Sequence, residues 1–378
     1  MTRPTESVWT LPSTPSIPLP ERAQVVVIGG GLTGMATAGQ LQADGAEVVV
    51  LEAKPTVAGG MATRGMGVAS VLLLDPPFRL VEALGLETAK EVLRFSAEGV
   101  AAWGDAINPT GVAYATKGDE EHAEVERNLE AMEALGVAAT PWTPSHAEGL
   151  QPGWHQPQGG EINLSTAAQG MSRSLRVATG MRAVSIEDDG MDLVVRTAQG
   201  ECIRADLVVM TGGAQITPWA QDKYHAVRHQ SLATEPIEPL FDAPVHIQYG
   251  YTSVRQHPEG QLLISGCRWA TPHLEIGETD DQFVHPDVHA RLLGFLHQHW
   301  PTLAETPVSH QWSAIMNFSC DGLPIIGPLP GRPRIITCGG FGAYSPSLAL
   351  RAARAVAEGI LTSQSEGVPS CFSTRRFD

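Results

Sequence analysis

The run Val25-Val26-Val27-Ile28 leads into Gly29-Gly30-Gly31-Leu32-Thr33-Gly34, and a second apolar run, Val48-Val49-Val50-Leu51, ends on Glu52. Gly29-x-Gly31-x-x-Gly34 has the spacing of a dinucleotide-binding turn, and each glycine has its own mechanical task. Gly29 allows the tight turn. Gly31 lets a pyrophosphate approach backbone at a helix N-terminus, and Gly34 lets that helix lie close against the strand. Glu52 stands where a carboxylate accepts the hydroxyls of an adenosine ribose and repels a ribose phosphate, so NADP is disfavoured while FAD and NAD remain.

Other residue types with chemical potential are less well arranged. The 13 histidines include His285-x-x-x-His289 and His297-x-His299. Pro286 separates the first pair at a helix start, neither pair has an obvious third ligand, and zinc needs three or four, so no metal is expected. The five cysteines, Cys202, Cys267, Cys320, Cys338 and Cys371, form no CxxC pair. Their odd number and wide spacing exclude a disulfide framework, and they read as small buried apolar residues.

A chain of 378 residues exceeds one simple core, and two domains are expected. With 43% hydrophobic and 17% charged residues it has the composition of a soluble globular protein. The net charge of −16, with acids spread along the chain and no lysine or arginine run, makes nucleic acid and anionic membrane surfaces poor partners. No apolar segment approaches a membrane span, and the N-terminus lacks a basic region followed by an apolar core. The expected location is the cytoplasm.

The glycine turn requires a strand before it, a helix after it and further strands beside it. Residues 1–23 read as an arm anchored by Trp9 and Leu11. The small-residue stretch from Ala58 to Gly67 lets backbone come close to a flat ring system. Two helices are expected over 75–108 and a third from Asp119 to Leu135 with Val125, Leu129 and Met132 inward. Pro141 to Gly160 reads as a long surface loop. Ala183–Ile186, Leu193–Arg196 and Cys202–Ile203 form an antiparallel meander that runs into a buried strand ending at Thr211-Gly212-Gly213. Val245–Tyr251 and Gln261–Cys267 read as strands and Asp287–Trp300 as a helix, with Tyr249, Tyr251, Arg268 and Trp269 as candidate pocket walls. Finally, Asp321–Gly327 and Ile335–Cys338 precede Gly339-Gly340-Phe341-Gly342-Ala343 and a helix whose N-terminus can face an electron-rich atom.

These four ordered motifs resemble the FAD-dependent oxidoreductases of the D-amino-acid oxidase family, which includes glycine oxidase, monomeric sarcosine oxidase and gamma-glutamylputrescine oxidoreductase. Ser7-Val8-Trp9-Thr10, and Tyr249-x-Tyr251 with Gly266, are most similar to the last of these. The resemblance implies an α/β fold. A Rossmann-like FAD-binding domain would take residues 1–70, 160–215 and 311–378, and an α+β substrate domain on an antiparallel sheet would take 71–159 and 216–310. It implies that Gly29, Gly31, Leu32, Thr33, Gly34, Glu52 and Ala53 hold the AMP half of FAD, with backbone at Val184 meeting the adenine. Gly59, Gly60, Met61, Ala62 and Thr63 would lie along the flavin, and Gly339, Gly340, Phe341, Gly342 and Ala343 would face its pyrimidine end. Thr211, Gly212, Gly213 and Pro324 complete the implied contacts.

The position of the family's flavin-tethering cysteine falls at about Ala314, so the FAD is expected to be non-covalent. The family's carboxylate-binding arginine falls where this chain has Ile315, Met316 and Asn317, which leaves Arg268 or Arg255 to replace it. The expected reaction is oxidation of the C–N bond of an amine or amino acid, with hydride passing to flavin N5, the imine hydrolysing, and electrons going to dioxygen or a carrier. Arg268 and Tyr251 are the candidate catalytic residues, and Tyr249, Met316, Phe341 and Tyr344 the candidate substrate contacts. The alternatives are a hydroxy-acid dehydrogenase and a non-catalytic flavin-binding subunit. Relatives with a tRNA-modifying role are known, and the charge disfavours that role here.

Overall fold

The computed structural model describes residues 6–11, 14–73, 76–145, 147–212, 222–362 and 367–377. The chain opens with β1 (Arg22–Ile28), α1 (Leu32–Ala43) and β2 (Val48–Glu52), then β3 (Val68–Ser70), α2 (Pro77–Leu84), α3 (Leu86–Ala101), β4 (Ile107–Asn108) and β5 (Val112–Thr116). Next come α4 (Asp119–Ala123), α5 (Val125–Leu135), β6 (Thr140–Trp142), β7 (Gln151–Gln156), β8 (Gly159–Ile162), α6 (Leu164–Ser172) and β9 (Val177–Thr179). β10 (Ala183–Asp188), β11 (Leu193–Thr197), β12 (Cys202–Met210), β13 (Tyr224–Pro236), β14 (Val245–Ile247), β15 (Thr252–Gln256) and β16 (Gln261–Gly266) follow. The last are α7 (Pro286–His299), β17 (Val308–Ser319), β18 (Ile325–Leu329), β19 (Arg332–Gly339) and α8 (Ser345–Thr362).

Two compact units share these elements. The first contains Trp9–Thr63, Leu164–Ala226 and Met316–Asp378, and the second Met1–Val8, Arg64–Asn163 and Val227–Ile315.

The first unit is built on a mixed sheet. β9, β2, β1 and β12 lie side by side in parallel, with Val26 opposite both Val49 and Val208, and β19 joins the C-terminal half of β12, also in parallel. Val26, Val27 and Val49 are fully buried, because α1 and α8 cover one face and the β10–β12 meander contributes to the other. Burial on both faces explains why the strands read as continuous apolar runs, each valine contributing about 1.5–3 kcal/mol.

The second unit carries the antiparallel-rich sheet β17-β13-β16-β15-β14-β5-β7-β6 and a small sheet β3-β8-β4. Val288, Leu292, Phe295 and Leu296 form one face of α7 and pack on Leu232, Val245, Val254, Leu262 and Ile264. α2, α3 and α5 pack together.

Several sequence expectations are corrected here. Pro141–Gly160 is not a long loop: β6 and β7 pair within it and β8 pairs with β3, while Trp154 is buried and stacked on Tyr114 at 5.0 Å. Pro141 sits on the edge strand β6, Pro144 and Pro157 lie between strands, and Pro152 falls in β7 where its pairing with β5 shifts register, all positions where a missing N–H is tolerated. The helix expected from Asp119 to Leu135 breaks at Glu124, and its inward positions are Asn128, Met132 and Leu135, with Val125 and Leu129 only half-buried. Trp9 is buried, whereas Leu11 is exposed. Cys267 and Cys338 are buried apolar residues, but Cys202 and Cys320 are exposed.

Candidate functional site

In the first unit the glycine turn has the geometry its spacing demands. Gly29 takes φ +108°, and a Cβ there would stand 2.9 Å from the Gly212 nitrogen. A Cβ on Gly34 would come within 1.8 Å of the Gly29 carbonyl oxygen, whereas a Cβ on Gly31 would meet nothing within 4 Å. Gly34 is therefore needed by the fold itself, while Gly31 faces open space at the N-terminus of α1, where the peptide dipoles favour an anion. The Thr211 hydroxyl pins the turn by donating towards the carbonyls of Ile28 and Gly29, at 2.9 and 3.1 Å. Gly213 lies outside the described residues.

Glu52 ends β2 half-buried. Its carboxylate accepts from the Gly30 N–H and the Lys54 N–H, each at 2.7 Å. Two backbone donors orient the group and leave lone pairs for ribose hydroxyls. Gly30 was not singled out from the sequence, yet its N–H holds Glu52, its carbonyl accepts from Ala58, and a Cβ there would stand 3.0 Å from the Glu52 carboxylate. The signal was present in the unbroken triplet of glycines. Ala58 adopts φ +59°, and the Thr63 hydroxyl donates to its carbonyl at 2.7 Å, which closes the small-residue stretch upon itself. Within that stretch Gly59, Ala62 and Thr63 are buried, Gly60 and Met61 half-buried; Leu32 and Thr33 are buried at the start of α1 and Ala53 is exposed. Val184 is the residue that the β10–β11 ladder skips between Ala183 and Ser185, so its backbone stands outside the paired register.

The C-terminal turn lies in the same unit. Gly340 (φ +74°) packs against Tyr224 and Ser319, and a Cβ on Gly342 (φ +53°) would be 2.4 Å from the Phe318 ring. Phe341 is buried, Ala343 and Tyr344 are half-buried, and the turn hands over to α8. Met316 is buried, and the Asn317 Oδ1 beside Gly339 is buried without a donor among the described residues. Asp321 is forked by the Arg376 guanidinium at 2.7 and 2.9 Å, and Arg376 also donates to the Pro324 carbonyl. An orphaned acceptor, an oriented carboxylate and an open helix N-terminus together fit FAD.

In the second unit the candidate residues separate into two groups. Tyr249 and Tyr251 are not on a strand: β14 stops at Ile247, and Gln248, Tyr249 and Gly250 all take positive φ. Tyr249 donates its N–H to Glu121 at 2.7 Å and lies under the Arg79 guanidinium at 4.9 Å. Tyr251 is exposed, and its carbonyl would be struck by any Cβ on Gly266. Arg268 follows Cys267, which sits at φ +52°, and donates to the Leu274 carbonyl at 2.9 Å. Burial lowers the Arg268 pKa, opposed by Tyr251 and Glu275. Trp269 is exposed, with the Arg291 guanidinium 5.5 Å from its ring.

Arg255 is ruled out as a substrate clamp. Its side chain is fully buried, donates to the carbonyls of Met66, Gly67 and Ile162, and stands 3.3 Å from Glu161. Sequence reasoning also missed a buried cluster on β13. Arg228 meets Glu275 at 2.5 Å, and Gln230 donates to the same carboxylate while accepting from the His285 N–H. Burial, then Arg268, pushes the His229 imidazole down to about 3, so it stays neutral near pH 7. His285 caps α7 through its ring nitrogen, and no group of three metal-ligating side chains converges among the described residues.

A family model described as FAD dependent oxidoreductase matches residues 24–359. The chain belongs to that family. Its cofactor is FAD, and it is an FAD-dependent oxidoreductase. Solved structures share the fold: the L-proline dehydrogenase of P. horikoshii (TM-score 0.78, 19% identity, 95% of this chain and 98% of that one) and the glycine oxidase of Geobacillus kaustophilus (0.75, 19%, 94% and 99%). A curated relative is the tRNA 5-methylaminomethyl-2-thiouridine biosynthesis bifunctional protein MnmC of Polaromonas naphthalenivorans strain CJ2, 28% identical over 382 residues. The alignment takes in 89% of this chain but only 57% of that protein's length. No helix among the described residues is long and apolar enough to cross a membrane.

Proposed function

We propose that this family member oxidises the C–N bond of a small amine, or of an amino acid whose carboxylate lies far from the reacting carbon. The observation that carries the substrate class is the side-chain set at Ile315, Met316 and Asn317, which has no cation to pair with an α-carboxylate, together with the full engagement of Arg255 elsewhere. FAD, when bound, accepts the hydride. Gly29, Gly31, Gly34 and Glu52 hold its AMP half, and the α8 N-terminus stabilises developing negative charge at the pyrimidine end. Ala314 stands where a tether would need a thiol, which supports non-covalent binding.

In this reading the first unit binds cofactor and also contributes substrate contacts. Met316, Phe341 and Tyr344 contribute apolar surface to substrate, with Tyr249 a further contact. Arg268, with Tyr251 beside it, orients a substrate anion or promotes reoxidation by dioxygen. Arg268→Met that leaves both substrate affinity and the reoxidation rate unchanged would remove it from this role.

The test is the visible spectrum of the flavin-loaded protein before and after anaerobic addition of amines and amino acids. Bleaching by amines lacking an α-carboxylate is expected, and bleaching by α-amino acids alone would overturn the proposed class.

A second reading has its own support. The name of the curated relative places an aminomethyl group on a tRNA nucleoside, and an amine oxidation of such a group is chemistry open to this fold. The net charge of −16 opposes a polyanion, which is why the free amine is preferred. Bleaching by modified tRNA, and by no free amine, would reverse that preference.

A further inference from the structure

In the second unit β14 and β15 pair as far as Ile247 and Thr252, and the residues between them close a tight turn. Gln248, Tyr249 and Gly250 take φ +55°, +55° and +82°, so three successive residues are left-handed and only the last is a glycine. A side chain in that region crowds the following carbonyl, and a run of such residues persists only where its surroundings hold it. The Gly250 and Tyr251 N–H groups donate within the turn, to the carbonyls of Ile247 and Gln248 at 3.1 and 2.9 Å. The Tyr249 N–H leaves the turn and donates to Glu121, 128 positions earlier, at 2.7 Å.

Glu121 lies buried on α4. Its other carboxylate oxygen accepts from the Lys117 N–H at 2.7 Å, the ordinary reach of a first-turn glutamate back to the backbone ahead of its helix. Burial raises the Glu121 pKa, opposed by these two donors, with Glu124 adding to the rise. The fold therefore keeps a desolvated carboxylate whose long-range partner is the strained turn. The end of α4 also bears on the ring of the same tyrosine. Arg79 donates to both oxygens of Glu124, at 2.9 and 3.0 Å, and its guanidinium stands 4.9 Å from the Tyr249 ring.

We propose that Glu121 is a positioning residue that clamps this turn and so fixes how Tyr249 and Tyr251 are presented to substrate. The clamp is a property of the fold, while its service to substrate rests on the amine-oxidation reading. Without Glu121 the left-handed pair Gln248 and Tyr249 relaxes towards ordinary backbone, and Tyr251, which is exposed, loses its fixed direction.

The test is hydrogen exchange in the full flavin-loaded chain, resolved to the Tyr249 amide, for the parent and Glu121→Leu. The parent amide should be protected, and the variant should exchange it about 10- to 100-fold faster, as befits the loss of one charge-assisted hydrogen bond. Amides of β15 and β16 should keep their protection, because only the turn is released. Should Glu121→Leu not fold, Glu121→Gln has one acceptor oxygen for two donors and must loosen either the Tyr249 or the Lys117 amide. With an amine that bleaches the flavin, Glu121→Leu should raise KM several-fold at nearly constant kcat. A parent Tyr249 amide that exchanges freely, variant exchange that matches the parent, or protection lost equally across β15 and β16 would each overturn the clamp. A loosened turn with KM unchanged would overturn its service to substrate. A parent that no amine reduces would overturn that service together with the amine-oxidation reading, with the exchange result deciding the clamp alone.

Discussion

Gly34→Ala and Gly31→Ala, two substitutions three residues apart in one turn, should fail in opposite ways. At Gly34 the new Cβ would lie 1.8 Å from the Gly29 carbonyl, while ordinary contact begins at 3.4 Å, so strand and helix must part by about 1.6 Å. α1 is buried along most of its length and cannot retreat freely. Overpacking of this kind costs about 3 kcal/mol, or a melting temperature about 6–12 °C lower in a domain of this size class. At Gly31 the backbone is at φ −80° and ψ −175°, ordinary extended geometry, and the Cβ meets open space. Alanine is a poorer N-cap, so the apoprotein should lose at most about 1 kcal/mol. In the proposed reading, however, the same Cβ stands where the pyrophosphate reaches backbone donors. Loss of one charge-assisted hydrogen bond weakens FAD binding by about 10- to 100-fold. Calorimetric melting of the apoproteins, paired with flavin-fluorescence titration, reads both quantities. An apo Gly34→Ala protein as stable as the parent, or a Gly31→Ala protein that binds FAD normally, would refute this division of labour.

Arg228→Ala should destabilise the protein by about 3–5 kcal/mol, because it strands the Glu275 carboxylate in a site where both side chains are less than 5% exposed; denaturant unfolding of the single variant against Arg228→Met/Glu275→Leu, which should recover most of the loss, checks this. Burial holds the His246 imidazole down at about 4 against 6.5 in the unfolded chain. Between those values the unfolded chain takes up the proton and the folded one does not, so stability present above pH 6.5 is lost as pH falls through 4, by about 3 kcal/mol. His246→Gln should flatten the unfolding profile over that window, and an unchanged slope would show that other groups dominate. Acid precipitation of the flavin-loaded protein should leave the flavin in the supernatant, while a yellow pellet would mean a covalent bond.

The strand–turn–helix–strand fold at the start of this chain was legible because its constraints are local. The glycine spacing, the flanking valines and Glu52 all fall within one strand–turn–helix–strand unit, and their conformations follow from backbone geometry. The strand β13 was not legible, since its sequence Tyr-His-Ala-Val-Arg-His-Gln-Ser has no apolar alternation. Its polar residues are buried only because Glu275 and His285 arrive from far along the chain to satisfy them. The same reason explains Arg255, which looks like a surface clamp until three carbonyls from β8 and the stretch before β3 are brought to it. Tyr249 and Tyr251 were placed on a strand by pattern, and the positive φ values that end it have no marker besides Gly250.

The interleaving of the first unit's segments has a consequence for biosynthesis. β12 must wait for β19, whose Ile335 pairs across from Val208, and α1 must wait for α8 to cover it. A ribosome therefore releases the glycine turn long before the strand and helix that stabilise it, and the intervening chain must be held without collapse onto the exposed valines of β1. The nascent nucleotide fold is a late event, dependent on pairings distant in sequence, which makes its rate slow and its early intermediates the natural clients of chaperones.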